Sequence, residues 1–129
     1  MTGGSRPGSL SEVAARSLSL ETLRFELTDF LHEFAARQDP EMLRESPPLR
    51  RAVFDQGEVA DAYLAATAAA LSARLGLPRP EWTEAPERYL SRPWFASPGS
   101  SLRACLLLES PAPFRERNLF VTANALSVA

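Results

Sequence analysis

Leu20, Leu23, Leu27, Phe30, Leu31 and Phe34 recur mostly at intervals of three or four along one stretch of this chain. That spacing puts them on a single broad stripe of a helix, and a stripe so wide must be covered by other elements. The helix is expected to begin after Ser19, and Pro40 limits the far end near Gln38. At about 1.5 Å per residue such a helix runs roughly 28 Å, the span of a small domain.

A second helix is punctuated more clearly. Asp55 and Glu58 have capping-box spacing, and Val59, Ala60, Tyr63, Leu64, Thr67, Leu71 and Leu75 then share a face. The alanines between them favour the helix and permit close approach of neighbours. Gly76 falls where a left-handed residue closes a helix, with apolar Leu77 behind it and Pro78 as the stop. Ser9 and Glu12 repeat the capping-box spacing, so Leu10 to Ser17 is expected to form a short first helix.

The remaining segments are less regular. Glu41 to Glu45 suits one helical turn ended by Pro47-Pro48, and Arg51 to Phe54 is an extended candidate. From Pro78 to Gly99 five prolines alternate with Trp82, Tyr89, Leu90, Trp94 and Phe95. Proline forbids long regular structure there while the aromatics demand burial, so a packed excursion with a turn at Glu87–Leu90 is expected. Ser100 or Ser101 caps a helix to about Glu109, and Leu102, Cys105, Leu106 and Leu108 predict that it is largely buried. Pro111 suits the first position of a short helix through Phe114 to Arg117. Leu119 to Val121 then reads as extended, paired either with Arg51 to Phe54 or with another chain.

These elements predict an all-α domain, a bundle of about four to six helices with a Pro- and aromatic-rich excursion and at most a minimal two-stranded β element. Its expected extent is residues 10–129, behind a polar N-terminal tail at 1–9. With 129 residues and 45% hydrophobic content, one core is affordable. The formal charge is −2. Residues 1–78 hold eight Arg against eleven acids and residues 79–129 six Arg against five, so no basic half announces nucleic acid. All fourteen basic residues are Arg and neither Lys nor Ile occurs, a bias that a GC-rich coding sequence explains. Met1 to Ser9 lacks the apolar run of a secretory signal, and Val59 to Leu77 is interrupted by Asp61 and Arg74. A cytoplasmic protein without a membrane segment is the expectation.

The chemistry-bearing residues are few. Asp29, His32 and Glu33 lie along one helical edge, but His32 is the only histidine and Ala36 stands where a zincin motif needs its second. A solvated helix face explains them more simply. Cys105, the only cysteine, precedes three leucines and is expected to be a buried, inert thiol. Ser97-Pro98-Gly99-Ser100-Ser101 resembles an anion cradle near Arg103, yet it has no P-loop spacing. No cofactor or metal is expected. Phe114, Arg115, Arg117, Leu119, Phe120 and Val121 combine apolar and basic groups and are the candidate interaction surface.

Arg92-Pro93-Trp94-Phe95, Ser101-Leu102-Arg103-Ala104, the run from Glu109 to Val121 and Asn124-Ala125-Leu126-Ser127 together carry a resemblance. The segment resembles a family of short bacterial proteins, of no established activity, with a Phe-Arg-x-Arg-Asn-x-Phe-Val type signature near the C-terminus. The likeness covers about the last forty residues and is looser at Asp29 to Phe34 and Ala62 to Leu71. It implies an antitoxin-like or accessory subunit beside a nucleotidyltransferase-like partner, and it transfers no functional residue. The expected function is therefore a non-enzymatic interaction protein with a protein partner or as a homo-oligomer. Two alternatives are a DNA-binding regulator and a small metal-dependent enzyme using Asp29, His32 and Glu33.

Overall fold

Ser9 and Ser19 each accept a hydrogen bond from the amide three residues on, Glu12 N at 3.1 Å and Thr22 N at 3.0 Å, and a helix follows each. These are α1, Leu10–Arg16, and α2, Leu20–Arg37, in a computed structural model that describes residues 6–96, 100–123 and 125–126. The Glu12 carboxylate accepts from Gly8 N at 2.9 Å and so secures the approach to α1. Along α2 the stripe from Leu23 to Phe34 is buried as its period requires, and Gln38 ends the helix in a left-handed turn (φ 49°).

Asp39 caps a 3-10 turn at Pro40–Leu43, which buries Met42 and Leu43. The predicted strand at Arg51 to Phe54 does not form. Val53 N and Phe54 N both donate to Arg50 O, so the segment is a turn. It delivers the chain to α3, Gly57–Arg74. The predicted Asp55 cap is also absent: Gln56, left-handed at φ 63°, takes the N-cap position without a side-chain bond. The reason is steric. A Cβ on Gly57 would stand 1.9 Å from Arg50 O, so the glycine has to sit where the two backbones meet.

Helix α3 is the axis of the fold. It is buried on every side from Val59 to Ala69, and its alanines let α1, α2, the Ala112–Arg115 turn of helix and the excursion close on it. Its end is a Schellman motif, with Gly76 N on Ala73 O and Leu77 N on Ser72 O, both at 3.0 Å, and Gly76 at φ 71°.

The excursion packs as two 3-10 turns, Glu81–Glu84 and Pro86–Arg88, then β1, Trp94–Phe95. Helices α4, Ser100–Glu109, and α5, Ala112–Arg115, carry the chain to β2, Leu119–Phe120. The two strands pair in parallel, Trp94 with Leu119 and Phe95 with Phe120. The strand beside Leu119 is thus β1 and not Arg51–Phe54. Just past β2, Val121 N donates to Ser110 Oγ at 2.8 Å. Pro111 occupies the N-cap of α5 in place of its first turn. Helix α4 departs furthest from expectation: Leu106 is buried, but Cys105, Leu107 and Leu108 are exposed. It touches β2, and among its described apolar residues only Leu106 is covered.

The protein is mainly α, with five α-helices and one two-stranded sheet among the described residues. No described helix is long and apolar enough to cross a membrane.

Because the Gly57 contact is with backbone, Gly57→Ala is expected to destabilise the fold by at least about 1–3 kcal/mol, the usual cost of overpacking. A urea titration unchanged from the parent protein would show that the contact is absent.

Candidate functional site

Buried charge is where a search for chemistry begins. Asp61, on α3, is 0% exposed. Its Oδ1 accepts from Arg50 N at 2.6 Å and its Oδ2 from Arg51 Nε at 3.2 Å, and Arg88 Nη1 lies 3.9 Å away. Arg88, itself buried, donates to the carbonyls of Asp61 and Pro47 and stacks 4.9 Å from the Trp82 ring centroid. Trp82 Nε1 in turn donates to Leu43 O at 3.0 Å. These donors and acceptors are taken up by main chain of the irregular segments, so the group fastens loops to α3 and holds no reacting centre.

Arg117 makes a second such fastening. At 0% exposure it donates to Pro113 O and Thr83 O, both at 2.9 Å, and to Glu84 Oε2 at 3.3 Å, with its guanidinium 4.6 Å from the Tyr89 ring centroid. Its Nε has no partner. Burial pulls the Glu84 carboxyl upward, but the hydrogen bond and charge of Arg79, the Tyr89 hydroxyl and the Arg117 charge together hold it below its ordinary value of 4.5.

The segment expected to be an interaction surface is mostly interior. Phe114, Arg117, Leu119 and Val121 are all buried, and only Arg115 and half-exposed Phe120 keep solvent contact. Phe114 meets Tyr63 edge-on at 5.1 Å and Phe120 stacks on Phe95 at 5.0 Å. The reason is the three-residue step from Phe114 on α5 to Arg117 just beyond its end: both turn inward, and β2 then buries Leu119.

The other candidates do not converge. Glu33 faces Arg6 and Arg37, at 3.9 Å and 3.7 Å, and no described residue brings together three or more His, Cys, Asp or Glu in a metal-holding group. Cys105, predicted buried, is exposed. The Ser97-Pro98-Gly99-Ser100-Ser101 cradle falls outside the residues whose placement is fully described.

What sequence reasoning missed lies on the outer face of α2. Phe25 sits off the buried stripe and is 68% exposed. Beside it runs an open trough of about 530 Å³ lined by Leu20, Glu21, Arg24, Thr28, Gln56 and Trp94. A more polar hollow of about 540 Å³, including Arg51, Glu58, Tyr89 and Arg92, adjoins it at Gln56 and Trp94. The fold places both shared residues: Gln56 is fixed by its left-handed turn, and Trp94 N donates to Asn118 O at 2.8 Å. Glu21 and Arg24 lie one turn apart on this face, opposite in charge, and no ion pair to either is found among the described residues. Leu18, 78% exposed, stands just before the Ser19 cap. An aromatic residue amid the polar positions of α2 was the one available signal. The groove offers apolar contact and separated charges.

The chain matches no protein-family model, no curated protein and no solved structure.

Two outcomes follow from the buried charges. Asp61→Ala leaves Arg88 buried without an opposing charge and is expected to cost about 3–5 kcal/mol in urea unfolding. A loss under 1 kcal/mol would mean that Arg88 finds other compensation. Glu84, with its folded value lowered, contributes stability above the unfolded value and loses it as pH falls through the lower folded one. The stability gap between the parent protein and Glu84→Gln should therefore narrow as pH drops below 4.5. A gap constant from neutral pH to acid would refute this assignment.

Proposed function

We propose that the protein acts by binding another polypeptide, not by catalysis, and that it binds through the groove between α2 and β1. The observation that carries this reading is the solvent-exposed Phe25 ring beside a trough walled by Leu20 and Trp94. Contiguous apolar surface rimmed by polar groups is what partner-binding patches look like, and buried aromatic anchors supply much of the energy at such contacts. An antitoxin-like or accessory role would use this face and leave the C-terminal segment to hold the fold.

The alternatives have less behind them. A DNA-binding regulator needs arginines free for phosphate. Arg6, Arg16, Arg37, Arg44, Arg51, Arg79, Arg88 and Arg117 are each already within 4.0 Å of a carboxylate. A metal-dependent enzyme built on Asp29, His32 and Glu33 would need further ligands from a second element.

A photo-crosslinking residue at position 25, in cells of the native host, is expected to trap a defined polypeptide. The same residue at position 44, which lines no part of the groove, should trap none. Equal capture at both positions, or none at 25, would overturn the proposal.

A further inference from the structure

We propose that the occupant of this groove is a second copy of the chain, docked about a two-fold axis through α2. The inference rests on the binding reading above and names its partner.

A two-fold interface uses the same patch on both molecules, so the patch must carry a projection and the hollow that receives it. Here Phe25 is the projection, and the trough between Leu20 and Trp94 lies directly beside it. Two α2 helices crossing antiparallel near residues 21–25 place each Phe25 over the partner's Leu20 and the trough beyond it.

The charges on the α2 face favour a copy over a segment of a single sign. The α2 face carries Glu21 and Arg24 one turn apart, with no ion pair to either among the described residues. In the antiparallel arrangement each Glu21 meets the partner's Arg24, and each Arg24 meets the partner's Glu21. An acidic segment would gain at Arg24 and be repelled at Glu21, and a basic one would meet the reverse. A patch that balances its own charge is complementary to itself. The low formal charge of −2 adds little repulsion between copies. One helix face and one trough make a contact at the small end of the stable range, so self-association is expected at micromolar concentration.

Sedimentation of the purified full chain over 1–500 µM (a range set by about micromolar affinity) tests this. The expected result is a concentration-dependent rise from 14.1 kDa toward twice that mass. Phe25→Glu should abolish the rise, while Leu108→Glu, on the exposed face of α4, should leave it unchanged. Glu21→Arg and Arg24→Glu should each weaken association by about tenfold or more, since each sets like charges face to face. Mixing those two single variants should restore it as a heterodimer, an outcome that a merely damaged fold cannot produce. A constant 14.1 kDa mass overturns the proposal. So does a dimer that survives Phe25→Glu, a dimer lost with Leu108→Glu, or a mixture that stays monomeric. If the chain is monomeric and position 25 crosslinks a different protein, the second copy is refuted while the groove stands. If position 25 crosslinks nothing and the chain is monomeric, both fail.

Discussion

A carboxylate without solvent holds the irregular half of this molecule in place. Asp61 projects from the second turn of α3, buried between Ala60 and Ala62, and it survives there because Arg50, Arg51 and Arg88 supply donors and opposing charge. Through those residues α3 grips the turn before it and the proline-rich excursion after it. Neither segment has regular backbone pairing enough to fix its own place. The interaction is one of position more than of net energy, since a buried ion pair returns little beyond its desolvation cost.

Arg117 repeats the device on the same stretch of the excursion, from the side of α5. Its guanidinium collects carbonyls from α5 and the Glu81–Glu84 turn, lies on the Tyr89 ring and meets Glu84. A planar group with five donors can satisfy carbonyls from different directions, which a lysine ammonium at the end of a flexible stem does less well. With both fastenings made, β1 is held against β2 and Trp94 is fixed as one wall of the groove. The charged interior thus helps to place an exposed face, since the contacts of Asp61, Arg88 and Arg117 hold the segment that ends in Trp94.

The helices were legible because their signals are local. Serine caps at Ser9 and Ser19, the stripe on α2 and the Gly76-Leu77-Pro78 ending act within a turn or two of chain, and each appears where its spacing places it. The failures involve distant backbone. Asp55 has capping spacing, but the close approach of Arg50 to Gly57 decides where α3 starts. Arg51 to Phe54 has strand-like residues, but Asp61 draws the neighbouring amide and guanidinium into a turn. Cys105, Leu107 and Leu108 look like core and remain exposed, because hydrophobicity states a preference for cover without supplying it.

The mainly helical character, the starts of α1 and α2 and the ends of α2 and α3 follow from neighbouring residues alone, since caps, period and left-handed closing residues are local properties. The partner of Leu119, the burial of Arg117 and the meeting of Phe25, Gln56 and Trp94 on one face arise only when the elements pack. Those three residues are 31 and 38 positions apart in turn. No local propensity encodes such a meeting: it exists only after α2, the Gln56 turn and the β1–β2 ladder have packed against α3.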